Sequence, residues 1–116
     1  MLDYSQEELQ RLGADITTRE IYQQPEVWKE AFDSYKSQTA DIAAFLKKIE
    51  VKHDYIKVIF AGAGSSAYVG DTLTPYLRQI YDELKWNFNA IATTDIVANP
   101  LVHLKREVPT VLVSFA

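Results

Sequence analysis

Cysteine is absent from this 116-residue chain, which excludes disulfides, thiolate catalysis and cysteine-ligated metals. Histidine occurs only as His53 and His103, each without a partner in sequence, so both read as surface or packing residues. Positive charge is not in excess: the formal net charge is −4, which argues against a nucleic-acid or anionic-membrane surface. An anionic ligand must then be held locally, by loop amides and hydroxyls. No apolar run approaches the length of a membrane span. The start, Met1-Leu-Asp-Tyr-Ser-Gln-Glu-Glu, has no basic segment followed by an apolar core, so no signal peptide is expected. The expectation is a cytoplasmic, bacterial protein with no metal and no cofactor. Nearly half of the residues are hydrophobic and about a quarter charged, as in an ordinary globular domain, and the length suits one small domain.

The most informative stretch is Val58 to Asp71, V-I-F-A-G-A-G-S-S-A-Y-V-G-D. Val58–Ala61 is a short apolar run of the kind that forms a strand buried on both faces. Gly62-Ala63-Gly64 turns the chain, because glycine takes positive φ freely and lets a ligand approach the backbone. Ser65 and Ser66 follow, and from Ala67 the apolar spacing becomes helical. Backbone N–H groups and two hydroxyls thereby converge where a helix dipole attracts an anion. Half of a phosphate-binding site is one reading. Gly62, Gly64 and Ala67 also fit the G-x-G-x-x-A dinucleotide fingerprint, although no acidic residue ends the next strand about 20 residues on. A plain strand-to-helix turn capped by Ser65 is the third reading.

Around this stretch, Ser5 and Glu8 form a capping-box pattern for a short helix ending at Gly13. Thr17 and Glu20 repeat it and predict a second helical piece over 18–23, and Pro25 opens a third and longer helix. In that helix Trp28, Tyr35, Ile42 and Ile49 recur every seven residues, with Phe32, Thr39 and Leu46 between them. The resulting stripe, on a helix of roughly 35 Å, exceeds what one face of a small sheet covers. It is expected partly to pack on the sheet and partly, at the Trp28–Tyr35 end, to meet another subunit. Lys47, Lys48, Lys52 and Lys57 read as solvated charge near the helix end.

Strands are expected at Tyr55–Ala61, Trp86–Ala92 and Thr110–Phe115. A helix is expected from Ser66 to Glu83, facing the sheet with Val69, Leu73, Leu77, Ile80 and Leu84, with Gly70 beside that face permitting close helix–strand approach. Pro75 should kink it near Asp71–Thr72. Ile96–Leu104 reads as a short helix or turn broken at Asn99-Pro100. Thr93-Thr94-Asp95 lies just past the second strand. Ligands of open parallel sheets sit at the carboxyl ends of strands, so this tripeptide should border the same crevice as Gly62–Ser66. The last strand would leave an open edge, which invites pairing with another chain. It also suggests a fragment of a longer reading frame.

On F-A-G-A-G-S-S-A-Y-V-G-D (60–71), A-T-T-D-I-V-A-N-P (92–100), P-T-V-L-V-S-F-A (109–116) and T-T-R-E-I-Y-Q-Q-P-E-V-W (17–28), the chain resembles the N-terminal part of a sugar isomerase (SIS) domain protein. More narrowly, it is similar to the tagatose-6-phosphate ketose/aldose isomerase family, also described as galactosamine-6-phosphate deaminase/isomerase. The resemblance implies an α/β fold: a partial flavodoxin-like open parallel sheet of about three strands, with residues 1–54 as a helical preface and 55–116 as the SIS portion. Such proteins bind a phosphorylated sugar and move a proton between C1 and C2, or release ammonia from the amino sugar. The resemblance assigns Gly64, Ser65 and Ser66 to the loop that contacts sugar and phosphate, and Thr94 and Asp95 to the lining of the same pocket. In the family a serine-rich second loop and a carboxylate or histidine base follow the strand matching Thr110–Phe115. The chain ends before them, which implies that this segment alone is inactive and leaves its catalytic residues unassigned. Asp95 as a substitute base competes with Asp95 as a cap or turn residue. A phosphosugar-sensing SIS module without catalysis is the alternative function. A homo-oligomer through the Pro25–Ile49 helix or the open sheet edge is expected.

Overall fold

The computed structural model describes residues 4–115. The first residues of the stretch that argued against a signal peptide, Met1–Asp3, lie outside them, as does Ala116. The chain divides into two compact units, Met1–Ala44 and Phe45–Ala116.

In the first unit, helix α1 spans Gln6–Arg11 and begins with the capping box that the sequence predicts. The Ser5 N–H donates to Glu8 Oε2 at 2.8 Å, and the Glu8 N–H donates to Ser5 Oγ at 3.2 Å. Two N–H groups that no helical carbonyl can reach are thereby satisfied. After Gly13, at a φ of +67°, helix α2 runs without interruption from Asp15 to Lys52, its residues from Phe45 onward belonging to the second unit. Two expectations are corrected here: Thr17 does not cap a separate piece, and Pro25 lies inside the helix rather than at its first position. Pro25 has no N–H to give the Ile21 carbonyl, and a helix normally suffers for this. Both residues are exposed, so water reaches that carbonyl, while good helix formers continue on either side. Leu9 and Thr18 are the buried residues of this unit. Trp28, Phe32 and Tyr35 are exposed, so they do not pack within it.

The second unit is built on a parallel sheet. Strands β1 (Ile56–Gly62), β2 (Trp86–Ala92) and β3 (Thr110–Ser114) lie in the order β2-β1-β3. This is the α/β open sheet, preceded by helices, that the sequence leads one to expect. Ile56 to Gly62 pairs in register with Trp86 to Ala92, and Lys57 to Ala61 with Thr110 to Ser114. On one face Ile56, Val58 and Phe88 form a core with Ile49, Leu77, Val111 and Val113 against it. Trp86 and Phe88 stack with ring centroids 6.4 Å apart, and Tyr81 meets both rings at a steep angle, 5.6 Å from Phe88 and 6.5 Å from Trp86. On the other face Ile59, Ala61 and Ile91 meet Ile96. Lys57 is not simply solvated charge: its Nζ donates to the His103 carbonyl at 2.9 Å.

Helix α3, Ala67–Ile80, covers the first face. Its buried residues are Gly70 and Thr74, with Leu77 half-buried, whereas Val69, Leu73, Ile80 and Leu84 are exposed. The expected sheet-facing row is therefore corrected to one shifted round the helix, in which only Leu77 is kept. Gly70 explains the shift. A Cβ on it would come within 2.8 Å of Phe60 Cβ and 3.2 Å of Ala90 Cβ, so the helix rests its thinnest side on the sheet. The helix continues through Pro75, which takes a donor from the Asp71 carbonyl. Helices α4 (Thr93–Ala98) and α5 (Pro100–His103) are separated at Asn99, as the Asn99-Pro100 break predicts.

The Thr74 hydroxyl is buried at this contact and has no hydrogen-bond partner. Exchanging a buried, unpaired hydroxyl for a methyl of similar shape removes a desolvation cost. Thr74→Val should therefore raise stability by about 1 kcal/mol, read as a higher urea midpoint at unchanged slope. A second expectation concerns Glu8, whose carboxyl is held below its ordinary range by the Ser5 N–H and then by the Ser5 hydroxyl. A carboxyl with a lowered folded pKa stabilises above its unfolded value and loses that contribution as pH falls through the folded one. The Ser5 amide resonance should accordingly lose its hydrogen-bonded shift in acid, below the ordinary carboxylate range, while amides of β1 do not move with it.

Candidate functional site

The carboxyl ends of the three strands are level. Gly62 is opposite Ala92, Ala61 is opposite Ser114, and the Phe115 N–H donates to the Ala61 carbonyl at 2.9 Å. From β1 the chain crosses by α3 to β2 on one side, and from β2 by α4 and α5 to β3 on the other. The connections leaving β1 and β2 thus run over opposite faces of the sheet, and ligands of open α/β sheets bind at the carboxyl ends of the strands.

At that end Ala63 is extended, at φ −126° and ψ 144°. Gly64 takes a left-handed φ of +56°, with nothing within 4 Å of where a Cβ would lie. Gly64–Ser66 forms one 3₁₀ turn, in which the Ser66 N–H donates to the Ala63 carbonyl at 3.2 Å, and α3 follows. Neither Ala63 nor Ser66 supplies a side-chain cap to the helical segment it precedes. The plain-turn reading is corrected only in its cap: the residue preceding α3 is Ser66, without a side-chain bond, and not Ser65. Gly62 has a packing role of its own: a Cβ there would lie 2.5 Å from the Ser66 carbonyl carbon and 2.8 Å from the Ala67 nitrogen. The first glycine of the dinucleotide-like pattern is thus explained by the turn. The residues ending β2 are apolar, and Asp95 lies within α4.

Ser65 is exposed and Ser66 half-buried. Thr94 and Asp95, also exposed, are in the first turn of α4, just past the Ala92 that pairs with Gly62. Register therefore brings both stretches to one end of the sheet. Ser65 further shares an open cleft of about 360 Å³ with Tyr68, Val69, Thr72 and Leu73 of α3. These neighbours, of which the sequence places Val69 and Leu73 against the sheet and gives Tyr68 and Thr72 no role, fall three, four, seven and eight residues after Ser65, the spacing of one helix face. His103 is placed differently: its carbonyl accepts from Lys57, near the amino end of β1. His53 precedes β1 and is likewise remote in register from Gly64. Among the described residues, no three His, Cys, Asp or Glu side chains are grouped to hold a metal ion.

The two glycines of the turn should respond differently to alanine. In Gly62→Ala the new methyl meets backbone, and a loss of about 3 kcal/mol is expected. In Gly64→Ala it meets open space, and only the left-handed φ costs, about 1 kcal/mol. Urea denaturation of the two variants checks this order.

No family model matches the chain. Among characterised proteins, D-galactosamine-6-phosphate deaminase AgaS of Shewanella sp. strain ANA-3 is 39% identical over 111 residues, covering 96% of this chain and 28% of that protein. The protein of the same name from Escherichia coli is 32% identical over 99 residues, covering 85% of this chain and 25% of that protein. The chain thus spans about a quarter of the length of the relatives it matches. Over nearly all of its own length, it is homologous to the N-terminal part of proteins named as D-galactosamine-6-phosphate deaminases.

Proposed function

We propose that this chain is the phosphate-anchoring part of a sugar-phosphate enzyme of the sugar isomerase family. The enzyme releases ammonia from an amino-sugar 6-phosphate such as D-galactosamine 6-phosphate, or exchanges aldose and ketose forms as with tagatose 6-phosphate. The observation that carries this reading is the left-handed Gly64 turn, without a side-chain cap, at the carboxyl end of β1. Backbone N–H groups there have no competing side-chain acceptor, and the start of α3 favours an anion. Gly64, Ser65 and Ser66 hold the phosphate, and Thr94 and Asp95 line the sugar side of the crevice. The homologues' names support the substrate class.

In this reading residues 1–54 are a helical preface and residues 55–116 the first portion of a SIS domain in a cytoplasmic enzyme. Among the described residues no helix is long and apolar enough to cross a membrane. The exposed Trp28, Phe32 and Tyr35 on α2 support self-association through the Pro25–Ile49 region, with the open sheet edge as a second contact.

Magnitudes set what this segment does alone. A helix start contributes about 0.3–1 kcal/mol to an exposed anion, and each hydroxyl or amide bond about 1 kcal/mol. The sum is about 4 kcal/mol, or millimolar affinity. The chemistry needs an acid/base pair within hydrogen-bond reach of the reacting carbons, and both histidines are at the wrong end of the sheet. Proton transfer is therefore assigned to residues beyond this segment, and the segment alone binds without turnover.

Titration of the chain with D-galactosamine 6-phosphate, followed by amide shifts, should move Gly64, Ser65 and Ser66 with about millimolar affinity. Ser65→Ala should weaken binding about fivefold. Unmoved amides at 64–66 would dismiss the phosphate site. A longer gene product that binds the ester tightly, yet releases no ammonia and exchanges no ketose for aldose, would establish the sensor instead.

A further inference from the structure

Strand β2 has a neighbour on one side only among the described residues. The Ile56 N–H donates to the Lys85 carbonyl at 2.8 Å, so the Lys85 carbonyl points towards β1. Backbone groups alternate sides along a strand. The N–H and C=O of Trp86, Phe88 and Ala90 therefore point to the free edge. Two of these groups are already taken from within the chain. The Trp86 N–H donates to the Asp82 carbonyl at 2.8 Å. The Phe88 carbonyl accepts twice from Arg78 of α3, from Nε at 3.1 Å and from Nη2 at 2.6 Å. A forked guanidinium on one carbonyl is a charge-assisted contact that a neutral strand N–H does not displace readily.

The strand needs such cover. Trp86–Ala92, W-N-F-N-A-I-A, has no charge and no proline, and an unprotected edge of this composition pairs with other chains. We propose that Arg78 is an edge guard: by occupying the Phe88 carbonyl it keeps β2 from pairing with the β2 edge of a second copy. The two sides of the sheet then differ, with β2 closed by its own helix and β3 left as the side open to further contact.

The test compares the chain with Arg78→Met, which keeps an apolar stem and removes the donors, and Arg78→Lys, which removes the fork. Thermal unfolding reports whether each variant is folded. Sedimentation over a concentration series reports association, and amide exchange at Phe88 and Ala90 reports whether β2 is the paired edge. Arg78→Met should associate at about tenfold lower concentration than the parent, with new protection at both amides. Arg78→Lys should fall between the two. A folded Arg78→Met that associates no more than the parent, or gains protection only in β3, overturns the proposal. If Arg78→Met does not fold, Arg78→Lys decides alone: parental association there overturns it equally.

Discussion

The end of β1 must pass into a helix that lies directly against the strand it has just left. At Gly62 the backbone of Ser66 comes so close that a single methyl would collide with it. Eight residues later Gly70 touches Phe60 and Ala90 with the same lack of clearance. Between these two contacts the direction of α3 is set, and with it the place where its first N–H groups point. The turn is thus a consequence of packing. Glycine at 62 lets the turn close tightly, and the left-handed Gly64 then leads into the 3₁₀ turn and α3. Neither glycine has to be explained by a ligand for the local geometry to form. The ligand reading comes from what the geometry leaves open.

The same close approach accounts for the surface of α3. A helix that rests on glycine and threonine cannot also bury the larger residues on its flank, so Val69, Leu73 and Ile80 remain exposed. Thr74 bears a cost of the arrangement, since its hydroxyl is buried without a partner. Arg78, one turn further, reaches past the helix to the edge of β2. Thus the helix that positions the turn also closes one side of the sheet. Both roles depend on the small side being the buried side.

Periodicity in the sequence made the elements legible, and it located β2 to the residue because W-N-F-N-A-I-A has clean boundaries. The capping box at Ser5 and Glu8 was legible for a local reason: all of its partners lie within three residues. The buried side of α3 was legible only in part: Gly70 could be read as allowing a close approach to the strand, but apolar spacing counts leucines and so placed the row beside it against the sheet. Pro25 and Thr17 misled for a related reason. Each is a start signal in general, but a start signal cannot halt a helix already under way when its unpaired carbonyl can reach water. Gly64, Ser65 and Ser66 could be placed from the glycine pattern alone. The level of Thr94 relative to that turn could not, since it depends on strand register, which pairs Gly62 with Ala92. Tyr68 and Thr72 went unnoticed because their link to Ser65 is helical spacing rather than a motif.

In the proposed reaction, anchor and chemistry are separate matters. The phosphate is on C6, whereas the bonds that change are at C1 and C2, at the other end of the sugar. A phosphate turn therefore has no need of a base beside it, and the base must approach from a different part of the protein. This segment follows that division. Its turn offers amides and hydroxyls, which hold charge without transferring protons at neutral pH. Its histidines sit towards the amino ends of the strands, where His103 is tied to Lys57 through its carbonyl. Asp95 alone among the singled-out residues is titratable and at the carboxyl end, and it stands in the first turn of α4, where a carboxylate favours the helix dipole. In the proposed site its role is to meet sugar hydroxyls, which donate to a carboxylate.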